Sequence, residues 1–139
     1  IEPAIDCQGR TLLYHPGLAF DNDGGMPLRA LSLRETYAEK VRAAMTRTPP
    51  AIRDIFDIAD AIQSQRIEFL DSQFLDLVRK KLAVPGNGDI DMSSSRRASL
   101  EKHLETRLKP VLRNSDYESV NLEQAFAEID KIASVICGG

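Results

Sequence analysis

Two consecutive prolines set the architecture of this chain. In SLRETYAEKVRAAMTRTPPAIRDIFDIADAI (32–62) they interrupt apolar side chains that otherwise keep helical spacing. Leu33, Tyr37, Val41 and Ala44 recur every three or four residues, and so do Ile55, Ile58, Ala59 and Ile62. That spacing gathers side chains on one face of a helix. A proline inside a helix removes a backbone donor and collides with the preceding turn, so the two stripes belong to two helices. The pattern predicts helices over about 33–48 and about 51–64, joined as a hairpin. Thr48 is a possible cap for the second, with a proline in the first turn, where a missing N–H costs nothing. Ser32 and Glu35 read as a capping box: the hydroxyl accepts from the N–H three residues on, and the carboxylate reaches back to the N–H of Ser32.

Three further stripes predict three further helices. Ile67, Leu70, Phe74, Leu77, Val78 and Leu82 form one. Leu100, Leu104, Leu108, Val111 and Leu112 form the next, and Leu122, Phe126, Ile129, Ala133 and Ile136 the last. NLEQ (121–124) supplies a cap signal for this last helix. VPGNGDIDMSSS (84–95) reads as a long, mobile polar loop. The first thirty residues differ: Pro3, Gly9, Pro16, Gly17, Gly24, Gly25 and Pro27 separate the short apolar runs 11–14, 18–20 and 28–31, with a turn at 21–25. Such runs read as strands or extended segments. The expected fold is mainly α: an antiparallel helical bundle (32–139) with a short N-terminal β or extended segment (1–31).

A chain of 139 residues with 42% hydrophobic and 28% charged residues can bury a core and is not disordered. The formal charge of −3 argues against binding nucleic acid with the whole surface. No apolar run is long enough for a membrane helix. Cys7 and Cys137, without a C-x-x-C spacing, suggest neither a disulfide framework nor zinc, and a reducing cytoplasm is the expectation. His15 and His103 are isolated, without ligand neighbours for a metal site.

Chemistry concentrates in the hairpin. Thr36, Lys40, Ala43 and Arg47 share a face of the first helix, and Asp54 and Asp57 share a face of the second. A hairpin would bring Lys40 and Arg47 to Asp54 and Asp57. An ammonium is a point charge for phosphate oxygens, and a carboxylate can orient it or accept a proton. The plainer reading makes Glu39, Arg42, Arg47, Arg53 and Asp57 ordinary inter-helix ion pairs, each worth about 0–1 kcal/mol when exposed. The run 93–113 carries Arg96, Arg97, Lys102, Arg107, Lys109 and Arg113 against Glu101 and Glu105, usually a solvated face but also one able to touch RNA phosphates. A Gly-rich phosphate loop and a G-x-S-x-G elbow are both missing from the sequence.

The segment 28–62, with Glu35, Ala38-Glu39-Lys40, Arg42-Ala43, Arg47, Arg53-Asp54 and Phe56-Asp57 in order, resembles the nucleotidyltransferase toxins of the AbiEii/AbiGii type. The resemblance implies a polymerase-β-like transferase whose Gly-Ser motif and paired acids hold Mg²⁺ and a nucleoside triphosphate. This sequence contains no Gly-Ser pair. The chain therefore resembles the C-terminal part of such a protein, with residues 1–31 as the last strands of the transferase domain. By this resemblance Lys40 matches the catalytic lysine and Asp54 the later motif aspartate. Glu39, Arg47, Arg53 and Asp57 match associated motif positions. No metal ligand is expected here, and Mg²⁺ and NTP would serve the full-length protein rather than this part. A cognate antitoxin and an RNA acceptor are the implied partners. The alternative is a non-catalytic helical module that binds a partner protein.

Overall fold

A computed structural model describes residues 4–12 and 26–138, which form six helices and a two-stranded sheet. Strands β1 (Cys7–Leu12) and β2 (Met26–Leu31) are antiparallel, in a register that runs from Cys7 opposite Leu31 to Leu12 opposite Met26. The expected strand at 28–31 lies inside β2, and the run at 11–14 overlaps the end of β1. The run 18–20, the turn 21–25 and His15 fall outside the described residues.

The sheet leads directly into α1 (Leu33–Thr46). Ser32 N–H donates to Asp6 O at 2.8 Å, and Ser32 Oγ accepts from Glu35 N–H at 3.0 Å. Only half of the expected capping box forms. The Glu35 carboxylate turns away from Ser32 N–H, which the sheet already satisfies. Instead it takes the N–H groups of Ile5, at 2.7 Å, and Asp6, and pairs with Lys81 Nζ at 2.6 Å.

The hairpin forms. Helix α2 (Ile52–Gln63) spans the expected range, but its cap is the Ala51 backbone, without a side-chain bond. Both prolines precede the helix, so Thr48 is not its cap. Helix α3 (Ser72–Leu82) starts late: Asp71 accepts from the N–H groups of Gln73 and Phe74 and stops the helix from reaching back to Ile67 and Leu70. Phe69, ahead of the helix, is nonetheless buried, edge-on to both Tyr37 and Phe74 at centroid distances of 6.2 and 5.2 Å.

The segment read as a mobile loop is tethered. Asn87 Nδ2 donates to the carbonyls of Lys81, Leu82 and Val84, and its Oδ1 accepts from Arg42 at 2.6 Å. Asp91 N–H donates to Met45 O at 2.9 Å. The fourth stripe divides into α4 (Ser94–His103), a wide π turn (Leu104–Leu108) and a 3₁₀ turn (Lys109–Val111). Pro110 is the physical reason, since it lacks the donor a continuing helix needs. Val111 consequently points to solvent, 70% exposed. A short α5 (Asn114–Ser119), not foreseen from the pattern, leads to α6 (Leu122–Cys137), which Asn121 caps through Gln124 N–H.

Helix α1 packs against α2 and α3, and α2 packs against α6. Val41, Met45, Ile55, Ile58, Phe74, Val78, Ile129 and Ile132 fill the space between them. This places one side of the α1–α2 hairpin under the end of β2.

Candidate phosphate-binding cleft

The hairpin is antiparallel, as its ion pairs show. Lys40 Nζ donates to Asp57 Oδ2 at 2.5 Å, and Arg47 Nη1 to Asp54 Oδ2 at 3.0 Å. A step forward along α1 is thus a step back along α2. The Ala43 side chain between the two cations on α1 adds little bulk, and a concavity of about 200 Å³ opens there. Leu31, Thr36, Glu39, Lys40, Ala43, Arg47 and Asp54 line it, so the end of β2 forms one wall. Lys40 and Asp54 therefore face the same cleft, although the direct partner of Lys40 is Asp57.

The two carboxylates differ in environment. Asp57 is partly solvated, with 30% of its side chain exposed, against 11% for Asp54. Burial pushes the Asp54 carboxyl above its ordinary range. Arg47 and Lys40 oppose the shift, Asp57 reinforces it, and the net displacement is upward. An aspartate of this kind is better able to hold or exchange a proton near neutrality than an exposed one.

Glu39 accepts from Nε of Arg42 at 3.1 Å and also from Nη2. Arg42 in turn holds Asn87, so the Glu39 wall of the cleft is tied to the 84–93 segment. Arg53 is exposed on α2 and does not line the cleft; Asp54 pairs with Arg47 rather than with its neighbour in the chain.

Three buried groups brace α1; the sequence reading has Glu35 only as a capping and motif residue, Arg96 only within the basic run, and does not single out Lys81. Glu35 and Lys81, 0% and 2% exposed, join α1 to α3. Arg96, expected on a solvated basic face, is buried against the last turn of α1. The signal in the sequence is helical phase: Arg96 lies one turn before the apolar Leu100. The rest of the basic run is partly neutralised, with Arg97 paired to Glu101 and Glu123 and Lys109 to Glu105.

Among the described residues, no group of three or more His, Cys, Asp or Glu side chains could hold a metal ion. Asp54 and Asp57 each face a cation. An ammonium and a guanidinium sit at the rim of the cleft, each paired with a carboxylate. No described helix is long and apolar enough to cross a membrane.

The described residues form a mainly helical bundle with a two-stranded sheet, and lysine, arginine and aspartate line one cleft of it beneath a strand end. The particular family follows from comparison: the model of the nucleotidyl transferase AbiEii toxin family, of type IV toxin–antitoxin systems, matches residues 2–131. The chain belongs to that family. No curated protein and no solved structure matches it.

Proposed function

We propose that the α1–α2 cleft is the part of a nucleotidyltransferase active site that engages the triphosphate of an incoming NTP, the nucleoside monophosphate passing to an RNA or protein acceptor. The observation that carries this reading is the convergence of Lys40, Arg47 and Asp54 on one cleft walled by the end of β2. In this reading Lys40 contacts the triphosphate and swings from Asp57 to do so, an exchange of one anionic partner for another. Arg47 holds Asp54, and Asp54 is placed to orient the ammonium or to accept a proton. Glu39 and Asp57 set the charge around the lysine, and Arg53 lies outside the contact zone. In this reading the carboxylates that hold Mg²⁺ lie outside the hairpin, and the two parts complete the enzyme together. The same reading gives the protein a cytoplasmic setting and a cognate antitoxin.

Substitution of Lys40 in the full-length protein tests the proposal. Loss of a charge-assisted contact that strengthens as the pyrophosphate leaves costs about 10²–10³ in rate. Lys40→Ala is therefore expected to lower transfer from labelled NTP by that factor. The melting temperature should change little, because the Lys40–Asp57 pair is partly exposed. One observation favours a second reading: Lys40 and Arg47 both have carboxylate partners, as in a purely structural hairpin. A non-catalytic module would show normal turnover per folded Lys40→Ala molecule, with only the melting temperature lowered.

A further inference from the structure

The last turn of α1 ends in an unusual way. Helices commonly finish with a glycine in the left-handed region, whose N–H groups satisfy the final carbonyls. Here Arg47 follows in extended conformation, and Thr48, Pro49 and Pro50 come next. The two prolines have no N–H to offer. Met45 O accepts from Asp91 N–H, and the carbonyls of Ala44 and Arg47 are met from α4, a distant part of the chain. Arg96 Nε donates to Ala44 O at 2.9 Å, and Nη2 donates to Ala44 O at 2.7 Å and to Arg47 O at 3.0 Å. Nη2 also lies 3.4 Å from Ala43 O, which accepts Arg47 N–H at 2.9 Å as well.

Arg96 is 7% exposed, and its nearest carboxylate, Asp91, is 4.0 Å away and half-exposed. The guanidinium is therefore held mainly by backbone oxygen, at the end of a helix where those dipoles concentrate negative potential. Only the planar fork of arginine reaches several carbonyls at once; a lysine offers a single charged point.

One of the carbonyls held is that of Arg47, whose side chain reaches Asp54. We propose that Arg96 is a positioning residue for the Arg47–Asp54 pair: by fixing the carbonyls of Ala44 and Arg47 it sets where α1 stops and where the Arg47 side chain departs toward the cleft. The inference rests on the proposed function for its catalytic consequence, but its structural consequence can be read separately. Arg96 is not among the residues that line the cleft, but it meets the backbone carbonyls of two that are, Ala43 and Arg47. It acts through Arg47.

The direct readout is the titration of Asp54, followed by carbon-detected NMR on the protein labelled at aspartate. Asp54 senses Arg47, Lys40, Asp57 and Arg42, and Arg47 is the strongest of these charges. If Arg96 holds Arg47 in register, Arg96→Lys keeps a positive charge on α4 but releases the fork. The Asp54 midpoint should then rise, by about one pH unit where the Arg47 contact is lost outright. Arg47→Gln should give a similar rise, and adding Arg96→Lys to it should shift the midpoint little further. Arg96→Met is the harsher variant; should it fail to fold, Arg96→Lys carries the same readout.

An Asp54 midpoint unchanged in folded Arg96→Lys overturns the proposal, whatever happens to the melting temperature. In the full-length protein, a raised midpoint with transfer per folded molecule reduced at least about tenfold supports both the positioning and the cleft as active site. A raised midpoint with unchanged transfer supports the positioning and overturns the assignment of Asp54 to the reaction. A residue that only stabilised the fold would lower the melting temperature and leave the Asp54 titration where it was.

Discussion

The Glu35–Lys81 pair offers the most exacting test of the packing. Both side chains are essentially inaccessible to water, and their charges lie 2.6 Å apart. Removing one partner strands the other, at a cost of about 3–5 kcal/mol for buried pairs. In a domain of this size each kcal/mol lowers the melting temperature by roughly 3–4 °C. Lys81→Met, which keeps most of the volume, should therefore lower it by about 10–20 °C. Glu35→Leu should cost at least as much, because the N–H groups of Ile5 and Asp6 lose their acceptor too. Combining the two changes removes both charges, and the double variant should be more stable than the sum of the single losses predicts. It should not reach wild type, since those two N–H groups stay without Glu35. Urea unfolding of the four proteins gives the coupling directly, and single losses below about 1 kcal/mol would refute the buried-pair argument. The pH dependence supplies a second check. Burial raises the Glu35 carboxyl, but Lys81 and the two N–H groups outweigh it, and the net shift is downward. A depressed folded value means stability that is present above the unfolded titration range and lost as pH falls through the folded one. Without Lys81 the burial effect is opposed less, the carboxyl titrates higher, and protonation relieves the stranded charge. The gap between wild type and Lys81→Met should therefore narrow as pH falls from 7 toward 4.

Other perturbations test separate links. Lys40→Ala should reduce nucleotidyl transfer by about 10²–10³ with little loss of thermal stability, measured on one preparation of full-length protein. Asp71→Ala removes the acceptor for Gln73 and Phe74 N–H and should cost about 1 kcal/mol in urea unfolding. Gly86 has φ of +95°, and Gly86→Ala should cost about 1 kcal/mol although its Cβ would meet no atom within 4 Å. Asp54 titrates above its ordinary range because it is buried, so Asp54→Asn should remove a carboxylate whose ionised form opposes folding; the variant's stability relative to wild type should rise between pH 4 and 7.

The helices were legible where a long apolar stripe coincided with a clear start signal. Ser32 and Asn121 cap α1 and α6 at the expected places. Helix α3 began late because apolar side chains ahead of a helix can be buried without belonging to it. Phe69 is in the core, yet no helical period marks it. The fourth stripe kept its spacing past the point where Pro110 denies the backbone a donor, and there the chain's hydrogen-bonding needs override its apolar pattern. The polar segment 84–93 looked mobile because its tethers, Asn87 and the Asp91 N–H, act on carbonyls and an arginine that no local pattern links to it.

The cleft was legible to the same extent. Lys40, Arg47, Asp54 and Asp57 lie on two helices whose antiparallel packing follows from the short proline turn, so their meeting could be anticipated. Which carboxylate pairs with which cation could not, because spacing fixes a face and leaves the partner open. Arg96 marks the sharper limit. In composition it is one of two adjacent arginines, but helical phase separates them. Arg96 lies one turn before Leu100, which is 2% exposed, while Arg97 lies one turn before the exposed Glu101 and pairs with it. Position 96 therefore shared the buried face of α4 from the start. A buried arginine needs acceptors, and the nearest set unmet within its own helix is the carbonyl end of α1. Of the two adjacent arginines of α4, one is thus turned inward onto backbone carbonyls and the other is balanced by acids.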